Sequence, residues 1–211
     1  MSKFISKLAA NGSAIGLAPK NLIIEQLESS DDLRKELIAL LCEKNGFYAF
    51  ESALHVFHTQ STQSEANLEN WNARNLWRYE YDDMTEGMFF FAEDVFGNQF
   101  CMSRGAIHLF DAETGLVDRF ADTLEDWAER VLNDFELATG YPLAREWQMK
   151  NGALPAGKRL MPKIPFVLGG KYNVDNIFAL ESVSSMRTRG NLAKQIKDLP
   201  DGSQIEIRII P

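Results

Sequence analysis

Three short apolar runs rich in phenylalanine follow one another in the middle of the chain, at residues 88–92, 99–102 and 106–110. Gly97-Asn98 and Gly105 lie in the polar stretches between them. Runs of this length, punctuated by glycine and asparagine, are typical of antiparallel strands joined by tight turns. A helix here would carry both glycines in its interior, at a cost of about 1 kcal/mol each. The pattern therefore predicts a β-meander.

Helical spacing of apolar residues marks other parts of the chain. The pattern predicts helices at residues 31–45, 123–140, 142–150 and 186–197, and further strands at 116–121, 176–183 and 204–210. Thr123 is expected to cap the second helix, and Gly140 to end it. The proline-rich residues 154–166 predict extended chain, because a helix cannot accommodate those prolines.

Three segments have weaker patterns. Residues 47–57 fit either a short helix or an irregular layer, residues 71–81 fit a helix or turns, and residues 60–66 predict an exposed loop. The fold class that follows is α+β, with an antiparallel sheet of about six strands formed by the central meander and the C-terminal strands, and helices packed over one face. Residues 31–211 are expected to form a single domain, and residues 1–30 an N-terminal arm or extension that is either mobile or docked on the surface.

Composition narrows the protein class. With 211 residues, 45% of them hydrophobic and 25% charged, the chain can bury a substantial core. No apolar run reaches the roughly 20 residues that cross a bilayer, and residues 1–20 lack the unbroken apolar centre of a secretory signal. Cys42 and Cys101 are expected to be buried free thiols, as in a reducing cytosol. We therefore expect a cytoplasmic location and no membrane partner.

Charge is divided unevenly along the chain. Residues 1–141 carry 11 Lys/Arg and 24 Asp/Glu, whereas residues 142–211 carry 11 Lys/Arg and 6 Asp/Glu. An acidic surface favours a basic partner and repels nucleic acid. The basic residues of the last third are spread over several elements, so they fit internal pairing with the acidic part, or an acidic partner, better than nucleic-acid binding. The acidic charge could also serve solubility alone.

Catalytic and metal-binding patterns are weak. His55 and His58 are three apart, and Glu51 precedes His55 by four residues, but the pattern is not HExxH. Paired carboxylates in the turns around the meander could do acid/base work. Asp94 and Asp111, however, have the positions of turn aspartates that bond their own backbone. No enzyme activity, metal or cofactor is predicted.

Several segments together resemble the SUKH superfamily. The central ones are FFFAEDVFGNQF, the D-x-E-T-G at residues 111–115 and TLEDWAERVL. On either side of them lie GFYAFESALHVF, the WN at residues 71–72, PFVLGG and LPDGSQIEI. Together the segments span roughly residues 30–211. The superfamily includes a fungal regulator of cell-wall synthesis and many bacterial immunity proteins. The resemblance implies a compact α+β domain that binds and neutralises a secreted or contact-delivered toxin.

Two functions follow as expectations. The first is an immunity protein without chemistry of its own, whose acidic half meets the basic surface of a toxin such as a nuclease. The second is a scaffold or regulatory adaptor linked to cell-envelope processes. The charge clustering predicts a protein-binding site that joins five acidic residues to two aromatic anchors: Asp82, Asp83, Glu86, Glu93, Asp94, Trp77 and Tyr81. The oligomeric state stays open between monomer and homodimer.

Overall fold

A computed structural model describes residues 3–15, 31–60, 62, 64–200 and 202–203. Its main element is a seven-stranded antiparallel sheet in which the strands follow their order in the sequence. The strands are β1 (Ser13–Ala14), β2 (Phe47–Ala49), β3 (Leu54–Val56), β4 (Phe89–Glu93), β5 (Gln99–Ser103), β6 (Ala106–Phe110) and β7 (Val117–Ala121). A separate two-stranded sheet pairs β8 (Lys158–Pro162) with β9 (Ile177–Glu181).

Helices connect and cover these strands. The α-helices are α1 (Lys3–Asn11), α2 (Asp31–Glu43), α3 (Leu68–Asn72), α4 (Leu124–Asn133), α5 (Phe135–Thr139), α6 (Tyr141–Asn151) and α7 (Ser182–Ile196). Short 3₁₀ helices lie at Arg78–Thr85, Phe166–Leu168 and Val174–Asn176. No helix of the described residues is long and apolar enough to span a membrane.

The α+β prediction and the meander are confirmed, but the sheet is larger and more enclosed than expected. Among the described residues it has seven strands rather than about six, and the strand predicted at 176–183 pairs with β8 in the separate sheet instead of joining the main one. Both faces of the sheet are covered: Phe91 of β4 packs edge-on against Trp127 of α4, whereas Phe90 packs against Trp77 on the other side. One face is therefore covered by α4, and the other by the turn that leads into the 3₁₀ helix Arg78–Thr85.

The additional strands come from the segment with an ambiguous pattern, residues 47–57. β2 and β3 form a hairpin whose turn holds Phe50, Glu51 and Ser52 at positive φ values of 53°, 51° and 69°. Left-handed backbone is uncommon for residues other than glycine, asparagine and aspartate. The turn therefore carries none of the usual sequence signals, and tertiary packing imposes it.

The first described segment belongs to the fold rather than extending from it. β1 pairs with β2, and Ile5 and Leu8 of α1 are buried in the main core. The carboxylate of Glu125 accepts hydrogen bonds from the backbone N–H groups of Phe4 and Ile5, at 2.7 and 3.0 Å. Residues 3–14 are thus packed on the domain, which corresponds to the docked alternative of the two predicted for the N-terminal segment.

Helix boundaries follow the capping residues. The side chain of Thr123 accepts from the N–H of Asp126 and begins α4, as predicted. The predicted long helix divides at Asp134, whose side chain caps α5, and Gly140 ends α5 in the left-handed conformation. α6 carries its proline in the first turn. The predicted strand at 204–210 lies outside the described residues.

The proline-rich segment contributes a strand. β8 lies within residues 154–166, pairs with β9 and contacts the β4–β5 turn through a 2.8 Å hydrogen bond from the N–H of Leu160 to the carbonyl of Val95. Leu160 and Val95 belong to a second, smaller hydrophobic cluster beside the main core.

The two cysteines are free thiols, but only Cys101 is buried. Cys42 follows the inward-facing Leu40 and Leu41 on α2, and one further residue of helical rotation turns its side chain to the exposed side. The prediction that both would be buried is therefore wrong for Cys42.

Candidate functional site

A row of polar side chains crosses one face of the main sheet. Tyr48, His55, Glu93 and Gln99 lie on four neighbouring strands, and the strand register places each opposite the next. Directly opposite residues of an antiparallel pair share a face. The rings of Tyr48 and His55 stack at 4.4 Å between centroids. The register therefore assembles a buried polar row where a sheet normally carries apolar residues.

Glu93 is the charged centre of this row. Its Oε1 atom accepts from Arg159 Nε at 2.7 Å and lies 3.0 Å from His55 Nδ1, and its Oε2 atom accepts from Gln99 Nε2 at 3.1 Å. Burial opposes ionisation, but the Arg159 guanidinium and the His55 hydrogen bond outweigh it, so the pKa of Glu93 falls to about 2. The indole Nε1–H of Trp71 donates a hydrogen bond to Gln99 Oε1 at 2.9 Å, at the Gln99 end of the row.

Glu65 closes the row from the loop between β3 and α3. Its carboxylate accepts a hydrogen bond from the Tyr48 hydroxyl and lies 3.8 Å from His55 Nε2 and 3.6 Å from His58 Nε2. Its side chain is only 5% exposed, although the sequence predicted an exposed loop here. Burial opposes ionisation of Glu65, but the nearby His58 imidazole and the hydrogen bond from Tyr48 lower its pKa to about 2.

The row is sealed rather than open. The cavity beside His55, Glu65 and Glu93 measures about 10 Å³, which is the scale of a single water molecule. Burial lowers the pKa of His55, so its ring is neutral near pH 7. An arrangement without room for a substrate fits a structural anchor, in which Arg159 and Glu65 tie two surface segments to the sheet.

His55 and His58 both face Glu65, but Glu51 does not join them. His55 lies on a strand rather than a helix, and Glu51 is in the preceding turn, where it accepts a hydrogen bond from Tyr141 at 3.1 Å. Within the described parts of the chain, no group of three or more His, Cys, Asp or Glu side chains could hold a metal ion.

Four of the seven residues predicted for protein binding lie inside the molecule. Trp77 and Tyr81 are both 0% exposed; the Trp77 ring packs on Phe90, and the Tyr81 hydroxyl donates to the carbonyl of Ala112 at 2.7 Å. Glu93 belongs to the buried row, and Asp94 is 5% exposed. Their side chains lie below the surface that a partner could contact, because apolar layers cover both faces of the sheet.

Asp94 instead shapes the β4–β5 turn. Its Oδ1 atom accepts from the backbone N–H groups of Phe96 and Asn98, at 2.8 and 2.9 Å. Burial raises its pKa to about 7, although these hydrogen bonds oppose the rise. Asp111 has the same role at the next acidic turn, where it accepts from the N–H groups of Glu113 and Thr114. The prediction that both are turn-forming aspartates is confirmed.

Asp82, Asp83 and Glu86 remain at the surface, and we call them the acidic triplet. Asp82 is held at φ 50° and ψ −121°, which interrupts the 3₁₀ segment and is rare for a residue other than glycine. Basic side chains at the end of α7 and just after it lie beside the triplet: Lys197 Nζ is 2.8 Å from Asp83 Oδ1, and Lys194 Nζ is 3.9 Å from Asp82 Oδ1. Internal pairing of the basic third with the acidic part is thus confirmed here.

Sequence reasoning missed Tyr48, Glu65, Gln99 and Arg159. Tyr48 and Gln99 lie next to apolar residues in their strands, so the alternation of side chains along a strand could have placed them on the face opposite those apolar residues. Arg159 lies among exposed lysines and prolines in the sequence, yet it is 1% exposed. No local signal identifies Arg159 or Glu65, because their partners are distant in the chain.

Comparisons with known proteins give little further information. No model of a known protein family matches the chain, and no characterised protein matches its sequence. A solved structure, that of Atu4351 from Agrobacterium tumefaciens, is similar with a TM-score of 0.49 and 14% identity, over 82% of this chain and 84% of that one.

Proposed function

We propose that this protein is a cytoplasmic, non-enzymatic binding protein of the SUKH immunity type, which neutralises a toxin by tight association. The observation that carries the proposal is the acidic triplet, three exposed carboxylates gathered on the interrupted 3₁₀ segment. The two lysines beside it leave the triplet acidic overall. Strained backbone conformations of the kind seen at Asp82 tend to occur at functional positions.

The charge of the whole chain supports a basic protein partner. The formal net charge is −8, so long-range electrostatics accelerates encounters with a basic protein and opposes binding to nucleic acid. A toxin that acts on nucleic acid carries such a basic surface, and a nuclease is therefore the kind of toxin that the triplet would suit. Immunity then works by covering the toxin's basic surface, with no catalytic group of this protein involved.

Capture of the partner is the first experiment. The tagged full-length protein is purified from its native cells, and the bound proteins are identified by mass spectrometry. A single stoichiometric partner with a toxic domain is the expected result, and co-expression of this protein should then restore growth of cells that make that domain. Recovery of cell-envelope proteins in place of a toxin would contradict the immunity proposal and favour the regulatory adaptor.

Charge reversal then tests the triplet. Changing Asp82, Asp83 and Glu86 to lysine should weaken toxin binding at least tenfold at low salt, mainly through slower association. The control changes Glu43, Glu69 and Glu136, which are exposed on three separate helices, to lysine with the same change in net charge. Equal binding by both variants would show that overall charge, not the triplet, matters.

A further inference from the structure

An open apolar groove lies next to the acidic triplet. Its walls are the β6–β7 turn with Leu116, the 3₁₀ turn with Val167, and the segment just after α7 with Leu199, and we call it the α7 groove. It encloses about 570 Å³, which is within the range of ligand-binding clefts. Leu116, Val167 and Leu199 are 67%, 43% and 44% exposed. Clustered apolar exposure of this kind marks interaction sites.

Buried contacts fix the shape of two of these walls. The backbone N–H of Val167 donates to the carboxylate of Glu113, a side chain that is itself buried, at 2.9 Å. The β6–β7 turn is held by Asp111 and by Gly115, which has φ +73° and lies directly against the side chain of Met84. A preformed groove loses little conformational entropy on binding.

The triplet and the α7 groove are continuous. Met84, which packs on Gly115, is the neighbour of Asp83 in the chain. Lys197 lines the groove, and its ammonium group is paired with Asp83 at 2.8 Å. Asp198 adds a further exposed carboxylate just after α7. Among the described residues, the groove thus combines an apolar floor with a rim that is acidic overall.

We propose that the α7 groove receives an apolar side chain of the partner protein, from a segment in which lysine or arginine flanks the apolar anchor. This inference rests on the proposed function and specifies its contact surface. The anchor would pack on Leu116, Val167 and Leu199, and the flanking cations would pair with the acidic triplet. Binding hot spots have this form: a desolvated apolar centre with a polar rim. The aromatic anchors that the sequence placed at Trp77 and Tyr81 are replaced by these aliphatic residues.

Toxin binding provides the first test. Leu116→Ser and Val167→Ser in the full chain should each weaken affinity for the captured toxin domain at least tenfold, because each removes an apolar contact at the centre. The matched control is Leu137→Ser, a leucine of α5 that is 83% exposed and lies outside this groove. If the wild-type protein protects against the toxin and both groove variants bind and protect equally well, the groove inference is overturned and the proposed function remains intact.

A synthetic peptide provides a test that is independent of the toxin. Its centre is Leu-Trp-Leu, with lysines on both sides, and a second peptide carries glutamates instead. The lysine peptide should shift the methyl NMR signals of Leu116, Val167 and Leu199, with affinity that falls as salt rises. Shifts confined to other methyl groups, or equal binding of the glutamate peptide, would overturn the inference. If the lysine peptide binds at the groove but the protein protects against no toxin, the immunity function is contradicted and the groove remains a binding site.

Self-association is the remaining outcome to separate. Analytical ultracentrifugation of the wild-type protein and of Leu116→Ser distinguishes a heterologous partner from a second copy. A dimer that dissociates in Leu116→Ser would assign the groove to self-association and overturn the proposed partner. An unchanged mass in both proteins, together with the methyl shifts above, supports it.

Discussion

At the scale of single residues, the ion pair of Glu93 and Arg159 has the strongest consequences. Both side chains are 1% exposed, so neither charge is solvated by water. Removing two charges from water costs several kcal/mol per ion, and close hydrogen-bonded contact offsets that cost. Either residue alone would be left as an uncompensated buried charge.

Substitution of Arg159 should therefore be severe. Arg159→Met is expected to lower the free energy of unfolding by about 3–5 kcal/mol, as measured by urea denaturation. The control Arg145→Met, at an exposed position of α6, should change it by less than about 0.5 kcal/mol. The double variant Arg159→Met/Glu93→Leu should recover much of the loss. A double variant as unstable as the sum of both single changes would contradict the pairing.

The carboxylates of the polar row should also make stability depend on pH. The pKa of Glu65 is about 2 in the folded protein, below its ordinary value of 4.5. A depressed carboxyl pKa contributes stability above 4.5, and this stability is lost as pH falls from 4.5 towards 2. Glu93 behaves in the same way, and His55, whose folded pKa is lowered, also disfavours the folded state once pH falls below about 6.5.

Denaturation at a series of pH values measures this dependence. Glu65→Gln should reduce the slope of unfolding free energy between pH 4.5 and 2 by up to about 1.4 kcal/mol per pH unit. The exposed Glu69→Gln on α3 is the control and should leave the slope unchanged. Identical slopes for Glu65→Gln and the wild type would mean that the Glu65 carboxylate is exposed to solvent rather than buried against Tyr48 and the histidines.

At the scale of elements, the packing of α7 on the 3₁₀ segment positions the acidic triplet. Gly190 faces this segment so closely that a Cβ atom there would lie 2.7 Å from the Cβ of Glu80 and 2.9 Å from the ring of Tyr81. Glycine is unfavourable inside a helix, so its presence here reflects a close approach rather than a helix preference. The same contact buries Tyr81, which explains why it is not an interface anchor.

Gly190→Ala separates these two effects. Alanine is about 1 kcal/mol better than glycine in a helix interior, but overpacking costs about 1–3 kcal/mol, so we expect a net loss of thermal stability. Asn191→Ala, one residue further along α7 and exposed, should be neutral or slightly stabilising. Higher stability of Gly190→Ala would show that α7 can move away from Tyr81 without cost.

At the scale of the whole molecule, the main sheet is covered on both faces and by the N-terminal segment at its first edge. Leu8 of α1 is 0% exposed and lies in the main hydrophobic cluster, although 22 residues separate it from the next predicted element at Asp31. Chain distance therefore does not indicate the limits of the folded unit. Residues 3–14 contribute both a strand and a helix to it.

A core substitution in α1 tests this assignment. Leu8→Ala should lower the free energy of unfolding by about 2–5 kcal/mol, the usual cost of deleting a buried leucine side chain. Lys7→Ala, on the exposed side of the same helix, should change stability by less than about 0.5 kcal/mol. Equal unfolding curves for the two variants would show that the N-terminal segment is a mobile arm, the other alternative that the sequence left open.

The sequence by itself determined the elements whose signals are local. The meander from β4 to β7 follows from phenylalanine-rich runs and glycine turns, α4 from Thr123 and its apolar face, and the turn roles of Asp94 and Asp111 from their positions. Each signal involves residues within a few positions of one another, so the chain alone contains it. The acidic triplet is likewise visible as a run of charge in the sequence.

Only the tertiary structure decided what becomes buried and what meets at a distance. The β2–β3 hairpin has no turn residue of the usual type, Glu65 and Arg159 are attached to the polar row by contacts remote in the chain, and Trp77 is sealed against Phe90. The burial of a side chain and the pairing of its charge depend on neighbouring residues from all parts of the fold. For this reason the sequence predicted aromatic contact residues beside the triplet, whereas the fold exposes aliphatic ones there.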